Sequence, residues 1–342
     1  MSDWNEFLLS QGAVTDAYGT VDFPYEPYIT ETTYLVNLPQ QGLIEVKGPD
    51  AAKFLQGQVT CDIRELEQPI TRLGAQCNIK GRMLLYFRAL QLTPEHILLR
   101  VHSGLVNSGL ASLGKYIVFS KAKLADLSGN YCYFGITGPQ ATALIQTVFG
   151  ATVDINSWKT CGNSLVIRLD DHRYECWVKP NEAQAFWVQL TPHTQSAGQN
   201  LWNLLNIQAG LGEICPETLD SFTPQAINLQ LVNGINFRKG CYTGQEIVAR
   251  LHYRGNLKRH MYRFDVDLHN QPLPAAGTEL KNAEGKNVGE VIMAAYKTHH
   301  AGELLASVVD DELEELYLPD NPQKLSLLSL PYAIPTPNEA DS

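Results

Sequence analysis

The stretch Phe237-Arg238-Lys239-Gly240-Cys241-Tyr242-Thr243-Gly244-Gln245-Glu246-Ile247-Val248-Ala249-Arg250 decides how the rest of this chain is read. Thr243 and Glu246 form an S/T-x-x-E pair ahead of an apolar run, the pattern of a helix capping box. With Thr243 as the cap, Tyr242 and Ile247 stand where a hydrophobic staple would pack. Gly255 suits the C-terminal end of that helix. Cys241 then lies two residues before the cap, near the positive end of the helix dipole. Arg238 and Lys239 add two cations, and Gly240 and Gly244 leave space around the sulfur. These features favour thiolate, so the pattern predicts a reactive Cys241, partly ionised near neutral pH. The plain alternative is an inert cysteine in a helix-entry loop.

Charge around this stretch is lopsided. Arg238, Lys239, Arg250, Arg254, Lys258, Arg259 and Arg263 face the single acid Glu246 between Phe237 and Arg263, on a chain of net charge −10. A basic island on an acidic protein suggests an anionic ligand, such as a polyglutamate tail or RNA phosphates. A solvated helix face paired with acidic neighbours is the competing explanation. The overall acidity excludes nucleic-acid binding through a broadly basic surface.

The chain has 342 residues, 44% hydrophobic and 18% charged, which predicts a globular protein of two or three domains. The N-terminus carries no signal-peptide pattern. No run approaches about 18 uninterrupted apolar residues, so no membrane span is expected. Both absences predict a cytoplasmic protein. Cysteines stand at 61, 77, 132, 161, 176, 215 and 241, with no CxxC. Zinc and iron–sulfur ligand runs are therefore not written here, no metal site is expected, and the odd count argues against a disulfide framework.

Outward from the motif, residues 1–40 read as irregular. Gly42 to Val46 reads as a strand, then Pro49 opens a helix through Ala51, Phe54 and Leu55 that stops near Gly57. Gly74 to Leu90 reads as a hairpin turning at Lys80-Gly81, followed by a strand at Ile97 to Val101 and a helix through Leu105 to Leu113. Further strands are expected at Val118 to Leu124, Tyr131 to Thr137, Leu165 to Leu169 and Tyr174 to Val178. Helices are expected after Gly138-Pro139 and at Trp202 to Gln208. The irregular alternation fits an α+β architecture, and no internal repeat is evident. After Gly255 the pattern becomes all-β: Tyr262 to Leu268, Thr278 to Lys281, Val288 to Ala295 and Glu303 to Val309. That module, residues 256–330, is expected to be a small β-barrel, and residues 331–342 a flexible tail.

Lys239-Gly240-Cys241-Tyr242-Thr243-Gly244-Gln245-Glu246 resembles the K-G-C-Y-x-G-Q-E signature of the YgfZ family. Pro224 to Leu229, Arg254 to Arg259, Val46 to Ala51 with Phe54 to Asp62, and Asn78 to Arg82 extend the resemblance over roughly residues 40 to 310. That family is similar to the T-protein of the glycine cleavage system. The resemblance implies intertwined ferredoxin-like units around a central cavity over residues 1–255, followed by the β-barrel. It implies tetrahydrofolate, or a one-carbon and possibly polyglutamylated derivative, as cofactor. Carried onto this sequence, it implies Gln208, Tyr242, Gln245, Glu246, Asn78 and Arg82 as cofactor-binding residues, and Cys241 as the reactive thiol with Lys239 and Arg238 beside it. It also implies service to iron–sulfur proteins such as tRNA thiomethylases. A monomer is expected, and direct RNA binding is left open.

Two departures from the T-protein bear on activity. By alignment, Leu84 and Leu85 occupy the positions of its acidic pair, and an alkyl side chain cannot accept or orient a proton. Its E-A-G turn is here Gln208-Ala209-Gly210, which offers no charge-assisted bond to a pterin. Turnover is therefore left open. Three functions remain in competition: a folate-dependent maintenance factor, a folate-dependent methyl- or aminomethyltransferase, and a folate-sensing module without chemistry.

Overall fold

The computed structural model describes residues 3–253, 257–269, 271–319, 321 and 323–335. It is a mixed α/β chain carrying three large sheets. The first has six strands in the order Trp158–Cys161, Ser164–Arg168, Arg173–Val178, Cys132–Thr137, Tyr34–Asn37 and Gln195–Ala197. Its pairs are antiparallel except the last, where Gln195–Ala197 runs parallel to Tyr34–Asn37. The second sheet is antiparallel, in the order Arg72–Cys77, Met83–Thr93, His96–His102, Gln41–Lys47 and Lys123–Asp126. A core of Tyr34, Leu43, Leu90, Leu98, Trp177 and Trp202 joins residues of both sheets.

The two sheets are variations on one unit, a repeat that the residue pattern alone did not reveal. In the second sheet, strand Gln41–Lys47 passes through Gly48-Pro49 into helix Ala51–Gln56. In the first, strand Cys132–Thr137 passes through Gly138-Pro139 into helix Ala141–Phe149. Both glycines sit at positive φ, 141° and 116°, where an L side chain is strained. Each also lies against backbone: a Cβ on Gly48 would be 2.3 Å from the Lys121 carbonyl oxygen, and one on Gly138 would be 2.4 Å from that of Thr32. Lys121 leads into strand Lys123–Asp126, and Thr32 leads into Tyr34–Asn37. The N-terminal strand thus takes the place in the first sheet that Lys123–Asp126 takes in the second, so the units are interwoven.

The N-terminal forty residues are more ordered than their prolines and aromatics suggested. Helix Asp3–Ser10 packs Leu8 into the core under the first sheet. A helix at Pro180–Leu190 was also missed. It opens on a proline in its first turn and buries Ala183, Trp187 and Leu190. The segment Val118 to Leu124 is a strand only from Lys123.

The C-terminal sheet has the linear order Glu279–Lys281, Asn287–Tyr296, Ala301–Val309, Arg259–Asp267 and Ser326–Leu328. Single bridges Lys281–Tyr317 and Tyr317–Lys324 lead from its first strand toward the chain entering its last. Met261, Ile292 and Leu305 join this sheet to the core of the second sheet. The segment expected to be a loose tail is anchored at Tyr332, whose hydroxyl donates to the Gly210 carbonyl at 2.7 Å. No helix among the described residues is long and apolar enough to cross a membrane.

Gly48→Ala and Gly138→Ala should each cost about 2–3 kcal/mol, combining positive-φ strain with an overpacked contact. Gly114→Ala, in open space at ordinary φ, should change stability by less than about 0.5 kcal/mol. Urea midpoints of the three variants check this, and equal midpoints would dispose of the paired-junction account.

Candidate functional site

The residues singled out from sequence fall into two neighbourhoods. The first is the Cys241 loop. Three segments distant in sequence meet there. The Thr60 hydroxyl donates to the Gly234 carbonyl at 2.6 Å, and the Asn236 N–H donates to the Thr60 carbonyl at 2.9 Å. The Thr243 N–H donates to the Gly57 carbonyl at 3.3 Å. Gly244, at φ 84°, lies against the Asn78 carbonyl and the Cys77 Cβ, and Gly81 lies against Ile247. Asn78 closes its own turn by accepting from the Lys80 and Arg82 N–H groups, and its amide donates to Asp220 at 2.6 Å. Arg82 donates to the Ser221 carbonyl.

Within the loop, Lys239 and Tyr242 are buried while Arg238, Gly240 and Cys241 are exposed. Cys241 is exposed, and all six other cysteines are buried or half-buried. Burial pushes the Cys61, Cys77 and Cys132 thiols up to about 12, and those of Cys161, Cys176 and Cys215 upward as well. Access therefore separates Cys241 from the rest.

Two expectations about its activation are corrected. Lys239 is not an activating cation: it is buried, and its ammonium donates to the Val59 and Cys61 carbonyls, each at 2.7 Å, over the ring of Tyr242. Burial lowers its pKa from 10.5 to about 8. Nor does the capping box form. Helix Gln245–Tyr253 begins after Gly244, Thr243 Oγ1 lies 3.4 Å from Gln58 Oε1, and the Thr243 N–H goes to Gly57 rather than Glu246. Glu246 is exposed, Gln245 half-buried and Tyr242 buried beneath the loop. Arg238 is exposed. Gly255 and Arg254 lie outside the described residues.

Gln208 belongs to the second neighbourhood, at the end of helix Gln199–Gln208, where its amide donates to Glu303 Oε1 at 3.4 Å. Glu303 is buried and pairs with Arg263 at 2.6 Å. The turn that follows leads to a buried cluster of charged and phenolic side chains whose members the sequence reading did not single out. Arg100 donates to Glu213 at 2.8 Å and faces Glu175 at 3.6 Å. Burial opposes its charge, but the two carboxylates outweigh that and hold its pKa above the usual range. Arg88, also buried, donates to Thr71 Oγ1 at 2.9 Å. The Nε atoms of both arginines are buried without a hydrogen-bond partner among the described residues. Tyr86 and Tyr332 lie beside this cluster, and burial pushes the Tyr332 hydroxyl up to about 12. A signal was present in the sequence: Arg88, Arg100 and Glu175 each stand between hydrophobic neighbours inside a strand. Leu85 is fully buried against Gly109, so the strand carrying it presents packing there.

The segment from Phe222 to Asn236 connects the two neighbourhoods. Asn228 donates to the Met261 carbonyl at 2.8 Å and reaches the Tyr332 hydroxyl at 3.5 Å. Gln225 donates to the Val248 carbonyl at 2.6 Å, inside the helix that follows Cys241.

Lys239 binds its proton less tightly when folded than when unfolded, so the cost of its charge is full below about pH 8 and relieved as pH rises toward 10.5. The urea stability of the wild type, measured against Lys239→Met, should therefore rise over that interval; parallel profiles would refute a buried ammonium. Iodoacetamide labelling read by mass spectrometry should modify Cys241 first. Faster labelling of Cys161 or Cys215 would contradict the assignment by access.

Comparison with known proteins places this architecture. The GCVT N-terminal domain family matches residues 29–236, ending just before the Cys241 loop. The chain is 35% identical over 310 residues to the tRNA-modifying protein YgfZ of Photobacterium profundum, covering 88% of this chain and 92% of that one. It is 32% identical to the protein of the same name from Klebsiella pneumoniae, over 88% and 93% of the two chains. The glycine cleavage system aminomethyltransferase T from Bartonella henselae shares the fold at a TM-score of 0.79 and 19% identity, covering 95% of this chain and 96% of that one. With the motif segments meeting at one loop and relatives matching nearly end to end, this chain belongs to the YgfZ family.

Proposed function

We propose that this protein binds tetrahydrofolate, or a one-carbon derivative of it, in a polar chamber around the Arg88 and Arg100 cluster, and supports iron–sulfur enzymes of tRNA modification through Cys241. The observation that carries the reading is the pair of buried arginine Nε groups without partners among the described residues. A buried donor left unpaired costs about 1–3 kcal/mol, so a chamber holding two of them favours a ligand rich in acceptors. The donor set suits a folate. Arg88 and Arg100 would hold acceptor edges or carboxylates, while the Gln208 amide and Glu303 would face donor edges of the pterin. A one-carbon derivative of tetrahydrofolate, if bound, would supply a carbon unit carried on nitrogen, and tetrahydrofolate itself would accept one.

The chain's own residues contribute position and access. Glu213 and Glu175 fix the Arg100 guanidinium, so its free N–H is aimed before any ligand arrives. Tyr332 packs on Gly210 and covers the turn beside Gln208. The Gln225 and Asn228 side chains tie this turn to the Cys241 helix, a route by which occupancy of the chamber would be felt at the thiol. Leu84 and Leu85 leave that strand without a carboxylate, which favours a maintenance role over aminomethyl transfer. The relatives' printed name supports the tRNA context.

Calorimetry with reduced folates should show binding that Gln208→Ala weakens about threefold to tenfold, the worth of one hydrogen bond. Absence of heat with wild type at millimolar folate would remove the chamber's assignment. In a strain lacking the protein, Cys241→Ser should fail to restore activity of an iron–sulfur tRNA thiomethylase. Full rescue would reduce the thiol to a structural part.

A further inference from the structure

A cleft of about 660 Å³ opens beside the Cys241 loop, within the roughly 300–1,000 Å³ typical of small-ligand sites. One wall is aromatic. The rings of Phe237 and His252 stack with centroids 3.7 Å apart and planes 8° from parallel. Tyr253 stands edge-on to both and remains 65% exposed. Burial lowers the pKa of the His252 imidazole, so it stacks as a neutral ring at neutral pH. The acids in the lining are neutralised locally, Asp62 by Arg64 and Glu65 by Arg72. Arg238 also lines the cleft, and its guanidinium has no counter-charge among the described residues.

We propose that this cleft takes an unpaired nucleobase of single-stranded RNA, stacked against the aromatic wall, with the adjoining phosphate on Arg238. The chemistry is that of stacking platforms beside arginine, which read unpaired bases by their flat faces and hold the backbone by charge. The wall is pre-set for this. The Asn236 N–H is fixed to Thr60, the Arg238 N–H to Asn236 Oδ1 at 2.8 Å, and Lys239 to Val59 and Cys61. A polyglutamylated folate offers the same pairing of planar heterocycle and anion. The openness of the platform favours RNA, because Tyr253 stands exposed at its edge, as suits a strand that runs past rather than ends inside. The proposal deepens the tRNA reading above and rests on it for the source of the strand. It places the exposed thiol three residues from the arginine that grips the backbone.

The test is fluorescence anisotropy with a labelled, unstructured RNA of about 10 nucleotides at roughly 50 mM salt, using the full chain. Tyr253→Ala should weaken binding about tenfold, and Tyr253→Phe should restore it. Arg238→Ala should weaken binding and reduce the salt slope by about 0.7, one single-strand phosphate contact. Circular dichroism and urea midpoints matching wild type establish that the variants are folded. Unchanged RNA affinity in folded Tyr253→Ala and Arg238→Ala overturns the proposal. So does a loss, in Tyr253→Ala, of polyglutamylated folate binding with RNA binding intact. Failure of the wild type to bind tetrahydrofolate would sink the chamber reading alone.

Discussion

A guanidinium buried between two sheets must find its counter-charges there, and Arg100 does. It extends from the second sheet to Glu175 on the first and to Glu213 on the segment that follows Gln208. Removing one partner of such a group leaves an uncompensated charge and typically costs about 3–5 kcal/mol. The positions of Glu175 and Glu213 are thereby fixed relative to one another, and with them the distance between the sheets. The buried polar cluster follows from this constraint. Apolar side chains of Leu43, Leu90 and Trp177 pack the neighbouring interface, so the buried charged groups interact through a poorly polarisable medium and are coupled.

The Cys241 loop obeys a second, weaker constraint. An extended loop that must present one side chain outward has to anchor its neighbours inward. Lys239 and Tyr242 do this, one by hydrogen bonds to two carbonyls and the other by burial. The two glycines serve different ends. Gly244 turns with a left-handed φ against the Asn78 carbonyl, while Gly240 has open space around it. The thiol is thus held in place by backbone packing from three segments and left free of contacts that would bury it.

Most of the strands in the second and third sheets were legible because alternation and hairpin turns are local signals. The repeat was implied by the family resemblance but not read from the residues, although Gly48-Pro49 and Gly138-Pro139 each end a strand and begin a helix. The two units share little beyond that dipeptide. The N-terminal helix was hidden because Phe23, Pro24, Tyr25 and Pro27 dominate the composition around it. At the site, adjacency in sequence misled. Lys239 stands two residues from Cys241, but its ammonium is drawn inward by the Val59 and Cys61 carbonyls, partners that only the tertiary fold supplies. The capping pattern failed for a related reason: the Thr243 N–H found the Gly57 carbonyl, a partner that only the tertiary fold supplies. Arg88, Arg100 and Glu175 were visible as charges in apolar strands, yet their meeting depends on how two sheets face each other.

The interwoven strand has a consequence for biosynthesis. Tyr34–Asn37 pairs with Cys132–Thr137 and Gln195–Ala197, so its partners leave the ribosome long after it does. At roughly 5–20 residues per second, a lag of about 100 residues lasts several seconds. During that time residues 41–126 hold every strand of the second sheet and can close on their own. The apolar strand Tyr34-Leu35-Val36 meanwhile has both edges open, the condition under which strands pair with the wrong chain. The earliest strand of this pair of sheets to be synthesised is therefore among the last to be committed. Nascent chains are most exposed to misassembly while residues 38–131 are being added.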